Sequence, residues 1–171
     1  MSSETFVLTQ RGYTAIQKEL AALEAELQER IAALEDIPVD TTGEDNPDTA
    51  ARYDLITAKE DIERRINYAK RVLDRAEVHT EDPNPKLVDP GERVIVWNFV
   101  TNAEETFELL ASPEAVRQRE HGTDNTITAV STESLIGQVL IGKQIGDVIE
   151  VEVPNGLAKY CVQRIERIED V

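Results

Sequence analysis

Two narrow apolar stripes, separated by a short segment containing prolines, are the feature that most constrains how this chain can fold. In the first stripe, apolar residues recur at spacings of four and three between Ile16 and Leu34. A second stripe between Leu55 and Ala76 has spacings of seven, four and three. Such spacings are typical of a coiled-coil seam. The sequence therefore predicts two long helices that bury their stripes against each other.

The ends of both predicted helices carry recognisable signals. Thr9 can act as the N-cap of the first helix, and Pro38 ends it because proline cannot continue a helix. The Asn-Pro-Asp segment 46–48 indicates a new helix, with Asn at the N-cap and Pro at the first helical position. Because the connection is short, we expect an antiparallel hairpin over residues 9–78. A helix of about 28 residues, at about 1.5 Å per residue, makes an arm of about 40 Å.

The connection between the two helices is acidic. Residues 31–51 contain six carboxylates and neither Lys nor Arg. Four of these are candidate metal ligands: Asp40, Glu44, Asp45 and Asp48. Two carboxylates with waters are a usual way for a protein to hold Mg²⁺, and another macromolecule would complete the site. Helix capping is the alternative interpretation, since Asp is favoured in a first turn by hydrogen bonding and by the helix dipole.

The second half of the chain has the period of strands. A break at residues 81–85 separates it from the hairpin, so we predict a hairpin domain at 1–80 with its tip at about 36–50, a linker at 81–90 and a second domain at 91–171. The predicted strands are 93–100, 105–111, 126–130, 148–153 and 157–168, with a short apolar helix or turn at 134–141. This pattern predicts an α+β domain with a small antiparallel sheet and with Trp97 and Phe99 in its core.

Charge and composition exclude several classes of protein. The formal net charge of -16 argues against broad binding to nucleic acid or to an anionic membrane surface. A single Cys and two His argue against a zinc site of the usual ligands. No secretory or membrane-spanning segment is visible in the sequence, so we expect a cytoplasmic protein. Basic residues of the second helix are expected to pair with glutamates of the first: Arg64, Arg65, Lys70, Arg71 and Arg75.

Taken with these motifs, nearly the whole chain resembles the Gre family of bacterial transcript-cleavage factors and their inhibitory homologues. Residues 8–12, Leu-Thr-Gln-Arg-Gly, are similar to that family's L-T-x-x-G start. Residues 131–143 resemble its S-x-x-S-P-x-x-x-x-L-[IL]-G-K signature, and Gly146-Asp147 follows. The resemblance implies an N-terminal coiled-coil hairpin followed by an FKBP-like α+β domain.

The resemblance also implies a partner. In the Gre family the globular domain docks on the rim of the RNA polymerase secondary channel, and the hairpin tip reaches the active-site Mg²⁺ or Mn²⁺. The chain would modulate the polymerase rather than be an enzyme itself, with indirect contact to the 3′ end of the nascent RNA and no sequence-specific DNA binding. The docking residues that the signature implies are Ser131, Ser134, Leu135, Ile136, Gly137, Gly142 and Lys143.

The tip departs from the family's cleavage motif, G-D-L-x-E-N-x-E-Y. An alignment without gaps puts Asp45 on the motif's Asp, Asp48 on its Glu and Arg52 on its Tyr, with Asp40 and Glu44 as additional acids. An acid-rich tip of this kind resembles the inhibitory homologues and favours inhibition or pausing, with stimulation of RNA cleavage as the alternative. Two other classes of function stay open. One is a peptidyl-prolyl isomerase or chaperone, whose pocket would need Trp97, Phe99, Phe107 and Tyr160, and the other is a structural coiled-coil adaptor.

Overall fold

The computed structural model describes residues 5–37, 47–79, 82, 84–122, 124–154 and 156–168. Packing divides the chain into two units. One combines the N-terminal stretch up to Tyr13 with the chain from Arg75 onward, and the other runs from Thr14 to Asp74. Among the described residues, no helix is both long and apolar enough to span a bilayer.

The helical unit is the predicted hairpin. Helix α1 spans Gln10–Asp36 and helix α2 spans Pro47–Asp74, so the proline at position 47 is the first helical residue, as predicted. The seam between them is formed by buried Leu23, Ile62 and Ile66, with Leu20 and Leu27 packed alongside. Apolar spacing in the sequence thus identifies the residues that pair the two helices.

Ion pairs between the two helices follow the predicted charge pattern. Arg65 lies 3.2 Å from Glu19, and the ammonium group of Lys70 lies 2.8 Å from the carboxylate of Glu24. Arg64 and Arg71 differ from the prediction: Arg64 pairs with Asp61 and Arg71 stacks over the ring of Tyr68, and both partners are on α2. Arg75 lies beyond the end of α2. All of these pairs are largely exposed, so each contributes about 0–1 kcal/mol.

The second helix ends earlier than the sequence pattern suggests, which corrects the predicted hairpin of residues 9–78. Strand β1 (Phe6–Leu8) pairs in parallel with strand β2 (Ala76–Val78). Both strands belong to the unit that contains the larger sheet, so the packing boundary falls at Asp74 rather than at the predicted linker. The first described residues therefore belong to the packed structure, since Leu8 is completely buried.

The second unit is built on a five-stranded sheet of order β5-β4-β3-β7-β6. The strands are β3 (Glu92–Asn98), β4 (Ala103–Leu110), β5 (Ile127–Ser131), β6 (Val148–Val153) and β7 (Gly156–Arg167). Strands β4 and β5 are parallel, so the sheet is mixed and the prediction of an antiparallel sheet is wrong. The reason is helix α3 (Ser112–His121), absent from the sequence prediction, which makes the crossover connection that parallel neighbours require. The segment predicted as a short helix or turn is helix α4 (Leu135–Leu140).

One face of the sheet carries the main core. Val94, Val96 and Leu109 are buried there, and the rings of Phe107 and Tyr160 meet edge to face with centroids 5.6 Å apart. The prediction of an α+β domain after a helical hairpin is confirmed. The prediction of Phe99 as a core residue is wrong, because it lies in the turn after β3 and its side chain is 45% exposed. Trp97 is half-buried.

A buried carboxylate holds the first turn of α1 against the sheet unit. Thr9 caps the helix as predicted, since its Oγ1 accepts a hydrogen bond of 2.9 Å from the N–H of Gly12. The Thr9 N–H donates to the Oε2 atom of Glu114 at 3.1 Å, and the Thr9 hydroxyl donates to Oε1. Burial raises the pKa of Glu114, while the hydrogen bonds from Thr9 and the charge of Arg11 lower it. A carboxylate at this helix start also suits the dipole.

We predict that a side chain at position 12 destabilises the protein only because the Glu114 side chain occupies the space beside Gly12. A Cβ at position 12 would lie 2.2 Å from the Glu114 Cδ atom, whose carboxylate is held by Thr9. Gly12→Ala should therefore lower the free energy of unfolding in urea by about 1–3 kcal/mol. In a Glu114→Ala background the same change should cost less than about 0.5 kcal/mol, because the space is then open. Equal costs in the two backgrounds would contradict this packing.

Candidate functional site

The predicted metal ligands belong, in the sequence, to the segment between α1 and α2 and to the start of α2. Asp40, Glu44 and Asp45 are outside the described residues, and Asp48 is the second residue of α2, where the backbone alone is described. Their role as ligands stays a prediction. Elsewhere in the described chain, no group of three or more His, Cys, Asp or Glu side chains is arranged to hold a metal ion.

The two helix ends that carry the acidic connection are joined by a basic side chain. Arg52 of α2 donates from one guanidinium nitrogen, Nη1, to the carbonyl oxygen of Leu34 at 3.0 Å and to that of Ile37 at 3.3 Å. Both acceptors lie at the end of α1, and Arg52 itself is half-buried. This contact was not predicted from the sequence, although the position of Arg52 directly after the acidic segment was a signal.

The predicted docking signature forms a tight turn between β5 and α4. Ser134 is the N-cap of α4: its Oγ accepts from the N–H of Gly137 at 3.1 Å and donates to the carbonyl of Ser131 at 2.7 Å. Gly137 is buried, and a Cβ there would lie 2.1 Å from the Ser131 carbonyl oxygen. These three residues shape the turn, and the structure gives each of them a role in folding.

The end of α4 returns the chain to the sheet unit. Gly142 has a φ of 77°, in the left-handed region that favours glycine. Its N–H donates to the carbonyl of Val88 at 2.8 Å, and the N–H of Val88 donates to the carbonyl of Lys143 at 2.9 Å. Ile136 packs against the main core. Of the seven predicted docking residues, Leu135 exposes the largest apolar side chain, at 65%.

Further exposed apolar side chains follow the signature in the chain. Ile141 is 37% exposed and Ile145 is 59% exposed. Leu87, 41% exposed, belongs to a segment that bridges to Gln144, directly before Ile145. Apolar side chains are therefore exposed on both chain segments that this bridge joins, Leu87 on one and Ile145 on the other. Exposed apolar groups that lie close together are typical of surfaces that bind another protein.

Buried charge surrounds the start of the chain's first helix. Glu108 of β4 is 1% exposed and lies 2.8 Å from the guanidinium of Arg93 and 3.5 Å from that of Arg11. A buried carboxylate needs such partners, because removing one of them leaves an uncompensated charge. The sequence analysis missed both Glu108 and Glu114, since an acid in a strand or helix usually faces solvent.

The aromatic residues required by the isomerase hypothesis do not meet in one place. Phe107 and Tyr160 are packed into the main core. Trp97 alternates with Val96 and so belongs to the opposite face of β3, where its neighbour across the sheet is Cys161. Phe99 is exposed at the end of the sheet. Among these four side chains the structure offers no shared aromatic pocket for a proline ring.

Comparison with known proteins adds the family. Residues 82–167 match the family model for the C-terminal domain of the transcription elongation factors GreA and GreB. Transcription elongation factor GreA of Thermosipho melanesiensis is 30% identical over 166 residues, which cover 97% of this chain and 99% of that protein. GreA of Clostridium acetobutylicum is 32% identical over 171 residues, which cover 97% and 100%.

A solved structure, GreA factor homolog 1 of Thermus thermophilus, is 22% identical, covers 95% of this chain and 99% of its own, and has a TM-score of 0.42. The family match and the GreA relatives cover the chain from end to end. The chain therefore belongs to the GreA/GreB family of transcription elongation factors.

The cap of α4 gives a test of the turn that holds the signature. Ser134→Ala should lower the free energy of unfolding by about 1 kcal/mol, because the N–H of Gly137 loses its acceptor. Ser134→Thr should retain most of the stability, since its hydroxyl can accept from the N–H of Gly137 and donate to the carbonyl of Ser131. Urea unfolding followed by circular dichroism measures both. A loss of equal size in the two variants would show that the hydroxyl is not the group that stabilises this turn.

Proposed function

We propose that this protein binds bacterial RNA polymerase, places its hairpin in the secondary channel and slows or pauses RNA synthesis through divalent metal at the acidic tip. The observation that carries the proposal is that an acidic segment of the sequence connects two paired helices of 27 and 28 residues. At about 1.5 Å per residue, such an arm is about 40 Å long and can present carboxylates deep inside a channel.

The chemistry of the tip suits a hard divalent cation. Asp40, Glu44, Asp45 and Asp48 supply carboxylate oxygens, which are preferred by Mg²⁺ and Mn²⁺. We assign Asp45 and Asp48 as the principal ligands, because they are three residues apart in the sequence, two residues before α2 and at its second residue. A metal bound there would supply positive charge next to the reacting phosphate. Two carboxylates leave most coordination positions open, so polymerase groups would complete the site.

A second candidate is stimulation of RNA cleavage in backtracked complexes. The observation that favours it is the retained acid pair, since Asp45 and Asp48 align with the Asp and Glu of the family's cleavage motif. The shorter Asp at the second position and the additional acids Asp40 and Glu44 favour inhibition instead. The two functions share the same docking and the same tip, and they differ in the product formed.

Transcription with purified bacterial RNA polymerase distinguishes these functions. On a stalled, backtracked complex, the wild-type protein should leave the RNA unshortened at its 3′ end. On an active elongation complex, it should slow nucleotide addition. Asp45→Ala/Asp48→Ala should remove most of that effect, and the effect should change with Mg²⁺ or Mn²⁺ concentration. Asp61→Ala is the matched control, because Asp61 is an exposed acid on the outside of α2.

The other outcomes have defined meanings. Rapid 3′ cleavage that is lost in the double variant would overturn inhibition and support cleavage stimulation. Equal activity of the wild type and the double variant would support the structural adaptor hypothesis. Proline isomerisation by the protein, with no effect on polymerase, would support the isomerase hypothesis.

The exposed leucine of the signature gives a test of docking. Leu135→Asp should raise the protein concentration needed for a half-maximal effect on polymerase about tenfold, because a charge would replace an apolar contact. Leu157→Asp is the matched control: Leu157 is 57% exposed, compared with 65% for Leu135, but lies outside the signature. Titration of both variants against polymerase measures the difference. A larger effect from Leu157→Asp would move the docking surface away from α4.

A further inference from the structure

The end of α1 has an unusual requirement that its own sequence cannot meet. In an α-helix the carbonyl of Leu34 would accept a hydrogen bond from the N–H of residue 38, but residue 38 is proline and has none. The last turn also contains Glu35 and Asp36 and no basic residue. Acids at this end oppose the helix dipole, whose negative pole lies there. Within its own described residues, α1 therefore supplies neither a donor for the Leu34 carbonyl nor a compensating cation at this end.

Arg52 supplies both from the neighbouring helix. Its Nη1 donates to the Leu34 carbonyl at 3.0 Å and to the Ile37 carbonyl at 3.3 Å, across 18 and 15 positions in the sequence. A guanidinium group keeps its charge at every pH at which the protein is folded. Its hydrogen bonds to carbonyls at a helix C-terminus combine a donor with a favourable dipole interaction. One side chain thus caps α1 and ties it to the second turn of α2.

We propose that Arg52 is the positioning residue of the acidic tip. It holds the end of α1 against the start of α2 and so fixes the distance between the two helix ends that the acidic segment connects. Ile37 directly precedes the acidic segment, and α2 resumes at Pro47. This contact rests on the pair of hydrogen bonds from Arg52, and it does not depend on any function of the protein. Its consequence for transcription rests on the proposed function of the tip.

Hydrogen exchange of the intact protein tests the contact without any polymerase. Arg52→Met keeps the aliphatic stem and removes the donor and the charge, so the amides of residues 35–37 should exchange about two- to fivefold faster. Arg52→Lys retains one charged donor nitrogen and should restore most of the protection. Arg64→Met is the matched control, because Arg64 is 75% exposed and pairs with Asp61 of its own helix. Arg52→Met with unchanged exchange, or with a loss that Lys does not restore, would overturn the proposal.

The missing N–H of Pro38 provides a second, independent arm. Pro38→Ala gives the Leu34 carbonyl a backbone donor, so Arg52→Met should accelerate exchange less in this background than in the wild type. An undiminished effect would show that Arg52 does not act through that carbonyl. The comparison is a double-mutant cycle between residues joined by a single acceptor.

The transcription assay separates positioning from binding. Arg52→Met should lower the maximal effect on nucleotide addition several-fold while changing the half-maximal concentration less than about twofold, because the predicted docking residues are untouched. Arg52→Lys should recover most of the maximal effect. A shift in the half-maximal concentration alone would assign Arg52 to docking and overturn the positioning role. If the wild type does not act on polymerase, the proposed function fails, and hydrogen exchange still decides the role of Arg52.

Discussion

Burial of a narrow apolar seam is the interaction on which the hairpin depends. Leu23, Ile62 and Ile66 lose nearly all their exposure between α1 and α2. Each such side chain contributes about 1.5–3 kcal/mol when buried, whereas an exposed ion pair contributes about 0–1 kcal/mol. The seam, and not the surrounding salt bridges, therefore keeps the helices together. Because the stripe is narrow, the remaining helix surface and the tip can carry charge without disturbing it.

The family's sequence motifs have direct structural causes in this chain. Leu8 is buried, Thr9 caps α1 and binds Glu114, and Gly12 leaves room for that carboxylate. In the signature, Ser134 caps α4 and Gly137 permits close approach to the carbonyl of Ser131. Most of both motifs is thus required for folding. The proposed contact with a partner would therefore fall to its exposed apolar surface, of which Leu135 is the largest member.

The sequence predicted the elements that have a clear period and missed those defined by distant partners. The 3.6-residue stripes located α1 and α2, and alternation located β6 to the residue. Strands β1 and β2 have three residues each, too few for any period, and they exist because they pair with each other. Helix α3 was missed despite a proline in its first turn, because its surface is mostly polar. Arg52 was missed because its acceptors are main-chain atoms of another helix.

The end of α1 and the start of α2 have opposite electrostatic effects on a nearby carboxylate. The positive pole at the start of α2 stabilises an ionised acid such as that of Asp48, which is in its first turn, and opposes a cation placed beside it. The negative pole at the end of α1 opposes Glu35 and Asp36 and requires Arg52 as compensation. In the proposed function, a divalent ion at the tip would therefore meet carboxylates whose charge is partly balanced by a helix start and by a guanidinium group. Its affinity for the isolated hairpin would consequently be weak, and firm binding would depend on ligands from a partner that brings further negative charge.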